Sequence, residues 1–238
     1  VYKGGVIELD NPKALSDPGK AFKNSPRRRI TLDLEHVACG PMYGESKNKH
    51  ESERDAEKQF AKAHYEQHMR VTGTIDLGDR QVEIAGYGLR DHSWGPRYWQ
   101  AIAWYRWLPM AFGEDFAMMI SLISADGVTA AGGGMVLHGD DYHLIRQVSV
   151  ESDWDDDWYQ TALRATVSTD ERTYEVTGDV VSLIPLRNRR TTPDGEDLLT
   201  RITEGLTEYR CDGKVGWGLS EYLDQVVDGI PVVADVPI

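Results

Sequence analysis

Hydrophobic positions along the chain alternate with a period of two far more often than with the 3.6-residue period of a helix. In the run Arg29–Val37, for example, Ile30 and Leu32 alternate with Thr31 and Asp33. Alternation of this kind is typical of a strand with one buried face. The same pattern recurs through most of the chain, so we predict an all-β fold with antiparallel strands.

Turn residues separate the predicted strands at short intervals. Gly78-Asp79, Asp126-Gly127 and Asp212-Gly213 are dipeptides of the kind that join the strands of a hairpin. The succession predicts barrels or sandwiches, with Gly132–Gly134 at a bulge or a tight corner. The predicted strands are Val1–Leu9, Arg29–Val37, Val71–Leu77, Gln81–Tyr87, Ala101–Leu108, Phe116–Ser124, Val128–His138, Tyr142–Ser152, Gln160–Ser168, Tyr174–Leu183, Leu199–Cys211 and Val215–Leu223.

Two segments break the strand pattern. Lys47–Tyr65 is rich in Glu, Lys, Ala and Gln, which favours one short surface helix capped by Ser52, or a charged loop. Arg187–Asp197 contains Pro, Gly and several charges, which predicts an exposed loop. The chain of 238 residues is long enough for two small domains. We place them at 1–85 and 86–238, and because the chain opens directly into a strand we expect the first to be incomplete.

Composition narrows the class of protein. Hydrophobic residues make up 40% of the chain and charged residues 27%, which is a globular composition. A net charge of −13 argues against a nucleic-acid partner, because such a field repels phosphate. No stretch reaches the roughly 18 apolar residues of a membrane span. Cys39 and Cys211 cannot form a disulfide framework, so we predict a cytoplasmic protein. The oligomeric state is not indicated.

The sequence contains none of the motifs that bind nucleotide cofactors, form acyl-enzyme elbows or ligate zinc in proteases. We therefore predict that the protein uses no cofactor. A period-two reading puts His64, Glu66 and His68 on one face, where two interpretations stand: an open metal site, or a rim cluster satisfied by its neighbours. We favour the second interpretation and predict no metal.

The densest unusual chemistry lies in Gly86–Arg97, which reads Gly-Tyr-Gly-Leu-Arg-Asp-His-Ser-Trp-Gly-Pro-Arg. Charged groups beside Gly and Pro are expected at a rim rather than unpaired in a core. A carboxylate beside His92 can fix its tautomer and tune its pKa, which supports acid–base chemistry by Asp91 and His92. The alternative is structural: Asp91 paired with Arg90 or Arg97, and His92 bonded to backbone. Side chains alternate along a strand, so if Asp91 and His92 are both extended, only one of them faces a cavity.

The string Gly-x-Gly-x-Arg-Asp-His-Ser-Trp-Gly-Pro-Arg resembles the signature of bacterial proteins built from paired lipocalin-like (calycin) domains. These proteins are more distantly similar to hydroxyneurosporene synthase (carotenoid 1,2-hydratase) and to lipocalin-like pericyclases. The resemblance implies two lipocalin-like β domains around a hydrophobic cavity, with residues 86–97 near their junction. It also implies roles for Asp91, His92 and Trp94 in a hydration-type reaction. A Tyr-x-Asp pair of the hydratases has no counterpart, since Phe116–Met118 stands at its place.

Three functions follow from this reading. The first is a cofactor-independent hydratase, lyase or isomerase that acts on a hydrophobic small molecule such as a terpenoid, steroid, polyketide or aromatic compound in a β-barrel cavity. The second is a non-catalytic carrier of such a ligand, and the third is an interaction module. We favour the enzyme, with His92 and Asp91 as the acid–base pair. The residues predicted to bind the substrate are Trp94, Arg97, Tyr98, Trp104, Tyr105 and Tyr65.

Overall fold

The computed structural model of the protein describes residues 1–45, 63–95 and 97–232. Antiparallel strands make up most of these residues and form two sheets, which confirms the all-β prediction. Helix α1 (Pro18–Asn24) is the one α-helix in this part of the chain, and it begins where the Asp17 side chain accepts a hydrogen bond from the Lys20 amide. Of the helix predicted at Lys47–Tyr65, residues 47–62 lie outside the described ranges. Its last three residues belong to a strand.

The first sheet is open and is built around one long hairpin. Its central strand pairs on one side with the second and third strands and on the other with the fifth. The hairpin turns at Gly78, where the left-handed φ of +87° suits glycine. The strands are β1 (Tyr2–Ile7), β2 (Arg27–Ala38), β3 (Tyr43–Glu45), β4 (Ala63–Asp76) and β5 (Gln81–Trp94).

The second sheet is an antiparallel meander in which the last long strand also pairs with the first strand. The sheet runs in the order β10-β11-β12-β13-β14-β6-β7-β8-β9, and β15 pairs with β14. Its strands are β6 (Trp104–Ala111), β7 (Phe116–Ser124), β8 (Ala130–His138), β9 (Asp141–Leu144), β10 (Gln147–Trp154), β11 (Gln160–Ser168), β12 (Thr173–Thr191), β13 (Asp197–Cys211), β14 (Lys214–Val227) and β15 (Ile230–Pro231).

The two edges of this sheet meet and give it the form of a barrel. Edge strands β9 and β10 follow each other in the chain, and Gly132 of β8 lies so close to β10 that an added Cβ would stand 2.3 Å from Val148. Gly134 adopts a φ of +122°, and a Cβ there would meet the Met119 carbonyl oxygen at 2.0 Å. Gly132 and Gly134 therefore lie at close approaches inside a strand. The ladder between β7 and β8 continues through Gly132–Gly134 without the bulge that the sequence suggested.

A hydrophobic core occupies the inside of the barrel. It contains buried side chains from β6, β7, β8 and from β10 to β14, including Trp104, Met118 and Tyr209. Two buried charges in the barrel are paired: Arg106 donates to Asp224 across 2.9 Å, and both side chains are at most 2% exposed. The Arg106 guanidinium also lies 4.1 Å from the centroid of the Tyr222 ring. These contacts replace the water that two buried charges lose.

One predicted loop is a strand ladder instead. Residues Arg187–Thr191 continue β12 and pair with Asp197–Arg201 of β13, so the connection shrinks to residues 192–196. The prediction was wrong because the backbone ladder continues through polar and charged residues, which carry no apolar alternation. Arg187 contacts Asp17 at 3.1 Å. The other predicted strands are confirmed, but β4 begins at Ala63 instead of Val71, β5 ends at Trp94 instead of Tyr87, and Tyr142–Ser152 divides into β9 and β10.

The first sheet packs with one face against the outside of the barrel. The indole Nε1 of Trp107 on β6 donates to the Glu66 carboxylate on β4 at 2.8 Å. Nearby, the His68 amide donates to the Tyr142 hydroxyl at 3.1 Å. The chain passes from one sheet to the other between Trp94 and Trp104. The division into domains at residue 86 stays a prediction. In the described part of the chain, no helix has the length and apolar character needed to cross a membrane.

Candidate active site between the sheets

The hairpin of β4 and β5 sorts the signature residues onto two faces. Glu66 lies directly across from Asp91, and His64 lies across from Ser93. Directly paired residues share a face and sequence neighbours do not. His64, Glu66, Ser93 and Asp91 therefore lie on the face that packs against the barrel.

His92 lies on the opposite face, where it is exposed. Its ring stacks on Tyr65 with a centroid separation of 5.3 Å and meets the edge of Trp94 at 5.5 Å. Arg90 extends this row of side chains, with its guanidinium 5.1 Å from the centroid of the Tyr65 ring. The structure thus separates His92 from Asp91, for the reason that neighbours on an extended strand point in opposite directions.

A cluster of His64, Glu66 and Asp91, which we call the His64 cluster, forms on the inner face. The imidazole Nε2 of His64 lies 3.0 Å from Oε1 of Glu66 and 3.8 Å from Oδ1 of Asp91. Glu66 is fully buried, whereas the side chain of Asp91 is 41% exposed. Oε1 of Glu66 also accepts the Trp107 hydrogen bond, and Oε2 has no hydrogen-bond partner among the described residues.

Two glutamates on the outer face of the barrel stand opposite the His64 cluster. Glu204 of β13 and Glu221 of β14 are directly paired across the hairpin, and we call them the carboxyl pair. Burial and the neighbouring charge of Glu221 raise the pKa of Glu204 from 4.5 to about 7. Burial also raises the pKa of Glu221. Two carboxyls held together out of water retain a proton that each would lose alone.

Tyr105 of β6 binds the carboxyl pair. Its hydroxyl donates to Oε1 of Glu221, while burial and the charge of Glu221 raise the pKa of the phenol. The phenol therefore keeps its proton at neutral pH. Glu221 accepts this hydrogen bond and a second one from the protonated Glu204 carboxyl, so the three groups form a line of proton donors and acceptors.

Charged residues of the first sheet and of the linker between Trp94 and Trp104 change the pKa of Glu221. The charge of Arg97 lowers the pKa of Glu221, and the charge of Asp91 raises it. Both residues therefore lie within electrostatic reach of the carboxyl pair. Arg97 also donates to the Ser93 hydroxyl at 2.7 Å, next to the His64 cluster. The site is therefore formed jointly by the inner face of the first sheet and the outer face of the barrel.

Apolar side chains surround these polar groups on the barrel side. Tyr105, Ile202 and Leu223 form a buried cluster on the outer face, against which Trp99, Trp107 and Ile123 pack. Such surroundings lower the local dielectric and account for the burial that displaces the carboxyl pKa values. An apolar wall with a few polar groups is the usual lining of a small-molecule site.

The predicted site residues divide accordingly. Asp91, Arg97 and Tyr105 lie at the interface of the sheets, whereas His92, Trp94 and Tyr65 share the outer face of the first sheet. Trp104 is 1% exposed inside the barrel and donates to the Gly127 carbonyl, because it alternates with Tyr105 along β6. Tyr98 immediately precedes the short 3-10 turn Trp99–Ala101 in the linker.

Sequence reasoning missed the carboxyl pair, although a signal was present. A two-residue turn at Asp212-Gly213 fixes the register of the flanking strands, and counting outward from it brings Glu204 opposite Glu221. The same count from the turn after Asp76 brings Glu66 opposite Asp91. Trp107 carried no such signal, because its contact with Glu66 joins two different sheets.

Comparison with known proteins gives a family assignment. The model of a family described as a domain of unknown function, DUF7064, matches residues 10–226. The chain belongs to the DUF7064 family. No curated protein sequence matches this DUF7064 chain.

The fold of this DUF7064 chain is similar to that of a solved structure of CghA. CghA crystallised with Sch210972 is 13% identical, with a TM-score of 0.51 over 83% of this chain and 64% of that chain. A second structure of CghA is 12% identical, with a TM-score of 0.45 over 87% of this chain and 69% of that one. Kievitone hydratase from Nectria haematococca is 8% identical, with a TM-score of 0.41 over 71% and 55%. The chain thus spans 64% of the length of CghA in the first comparison.

Proposed function

We propose that this protein is a hydratase, lyase or isomerase that acts on a hydrophobic small molecule at the interface of its two sheets. The observation that carries the proposal is the carboxyl pair, where a proton is retained near neutral pH beside an apolar wall. A general acid works best when its pKa lies near the operating pH. Glu204, with a pKa of about 7, meets that condition.

In this proposal the carboxyl pair donates a proton to the substrate, and Tyr105 holds the ionised Glu221 in place. The His64 cluster supplies the basic group on the opposite side, where Asp91 is the exposed member. Addition or loss of water and migration of a double bond all need one proton delivered and one removed.

The environment supports a substrate of the terpenoid, steroid, polyketide or aromatic class. Tyr105, Trp107 and Trp99 present aromatic surface beside the polar groups. Arg97 supplies a cation for a carbonyl or carboxylate of the substrate. CghA, which has a similar fold, was crystallised with Sch210972. We place the substrate outside the barrel, since a buried core occupies the barrel interior.

Deuterium transfer tests the proposal. The purified protein is incubated in D₂O with a panel of hydrophobic compounds that contain carbon–carbon double bonds, and products are analysed by mass spectrometry. Enzymatic protonation at carbon places deuterium in the product. We expect Glu204→Gln to lower the rate by about 10²–10⁴-fold, as loss of a general acid does. Asp179→Asn, an exposed acid paired with Arg210, is the matched control.

A non-catalytic carrier would bind members of the panel and return them unchanged and without deuterium. That result, or an unaltered rate in Glu204→Gln, would overturn the proposed function. Binding is followed separately through quenching of tryptophan fluorescence, so that a compound that fails to bind is distinguished from one that binds and does not react.

A further inference from the structure

The His64 cluster has the composition of a cation site. An imidazole nitrogen and two carboxylates come together so that one ligand atom from each residue lies within 4.8 Å of the others. His64 and Glu66 are two positions apart on β4, and Asp91 is the direct cross-strand partner of Glu66. Two adjacent strands in fixed register therefore hold all three ligands, which is the rigid support that a metal site needs.

An unpartnered oxygen provides independent support. Oε2 of Glu66 is buried without a hydrogen-bond partner in the described part of the chain, and the residue is 0% exposed. Leaving a buried acceptor unsatisfied is costly, and the cost is larger for a charged group. The other oxygen already accepts from Trp107 and lies beside His64. A cation would satisfy Oε2 and offset the two negative charges of the cluster.

The distances suit a small divalent ion. Bonds of about 2.0–2.2 Å place neighbouring ligands about 3–3.5 Å apart. Nε2 of His64 lies 3.0 Å from Oε1 of Glu66 and 3.8 Å from Oδ1 of Asp91. The Asp91 side chain is 41% exposed, so a small rotation closes the remaining gap. Three protein ligands leave positions open for water or substrate.

We infer that His64, Glu66 and Asp91 form a binding site for one divalent transition-metal ion of the Mn²⁺, Co²⁺ or Zn²⁺ type. One imidazole and two carboxylates favour these ions over Ca²⁺, which prefers oxygen ligands alone. The period-two pattern places His68 on the same face as His64 and Glu66, but His68 is not part of the cluster that the described residues form. Asp91, supplied by the signature strand, takes its place.

The inference deepens the proposed function and rests on it only for its catalytic meaning. With the ion bound, Asp91 is a ligand and an ion-bound water supplies the basic group of the site. The carboxyl pair keeps its role as proton donor in either case. Metal binding and deuterium transfer are therefore separate measurements, and failure of one does not decide the other.

Titration of the metal-free protein with Co²⁺ tests the site. The protein is treated with a chelator and dialysed, and Co²⁺ binding is followed by calorimetry and by visible absorption, which reports nitrogen and oxygen ligands. We expect one equivalent to bind and the melting temperature to rise. Asp91→Asn and His64→Gln should each weaken binding by at least about tenfold, since even residues behind the ligands cost 10–100-fold.

His143→Gln is the matched control, because His143 also contacts a glutamate, Glu171, at 3.3 Å but lies outside the cluster. This variant should bind Co²⁺ as the unmodified protein does. Absence of saturable binding would overturn the inference, as would equal weakening by all three substitutions. Circular dichroism of each variant at the titration temperature verifies the fold, and Asp91→Glu, which retains a carboxylate, should recover part of the affinity.

Discussion

Because the carboxyl pair retains a proton, we predict that Glu221→Gln changes the pKa of Glu204. In the native protein, burial is the largest cause of the raised pKa of Glu204, and the charge of Glu221 adds to it. The amide removes the charge and leaves the burial. We therefore expect the pKa of Glu204 to fall from about 7 toward 4.5 without reaching it.

The raised pKa of Glu204 also makes the stability of the native protein depend on pH. A carboxyl whose pKa is raised on folding stabilises the native state below its unfolded pKa, and this stabilisation is lost as the pH rises through the folded value. The full shift from 4.5 to about 7 would correspond to about 3 kcal/mol, and solvent screening of the partly exposed Glu204 side chain reduces the expected loss to about 1–2 kcal/mol. Replacing both glutamates by glutamine should remove this part of the pH dependence.

Two measurements check this prediction. Carbon-13 NMR of carboxyl-labelled glutamate gives the pKa of Glu204, assigned by its absence in Glu204→Gln. Urea unfolding at pH 5 and pH 8 gives the stability of the native protein and of the double variant. A native Glu204 pKa near 4.5, or one that Glu221→Gln leaves unchanged, would refute the reasoning.

Other substitutions test the barrel and its contact with the first sheet. Asp224→Asn leaves a buried guanidinium without its charged partner and should cost about 3–5 kcal/mol in urea unfolding, whereas Asp179→Asn in an exposed pair should cost less than about 1 kcal/mol. Gly134→Ala should destabilise by more than about 1 kcal/mol, because its φ is +122° and a Cβ meets a backbone carbonyl, while Gly133→Ala has open space and should be tolerated. Burial lowers the pKa of His68 from 6.5 to about 4. The free energy of unfolding of the native protein should therefore fall by about 3 kcal/mol as the pH drops from above 6.5 to below 4. His68→Gln should reduce that loss, and equal acid sensitivity of the two proteins would contradict this prediction.

Alternation and turn chemistry made most of the strands predictable. Period-two patterns located Arg29–Val37 and the hairpins at Gly78-Asp79 and Asp212-Gly213, because each strand buries one face and the turns require special backbone angles. The pattern failed at Arg187–Thr191, where polar and charged residues continue the hydrogen-bonded ladder beyond the core. Backbone pairing there does not depend on apolar side chains.

The site was predictable only in part, because its members come from different sheets. The signature located Asp91, and its alternation with His92 already implied that one of them points away. The hydrogen bond from Trp107 to Glu66 depends on how the first sheet packs against the barrel, which no local pattern encodes. The raised pKa of Glu204 likewise arises from burial at that packing interface.

Asp91 and His92 are adjacent in the chain and lie on opposite faces of the first sheet. Substituting each in turn therefore tests directly which face of that sheet carries the reaction. The decisive measurement is deuterium incorporation from D₂O into a converted compound by Asp91→Asn and by His92→Gln. The account predicts that Asp91→Asn loses at least about 10²-fold in rate, while His92→Gln stays near the native rate. Loss of activity in His92→Gln with activity retained in Asp91→Asn would contradict the placement of the reaction between the two sheets.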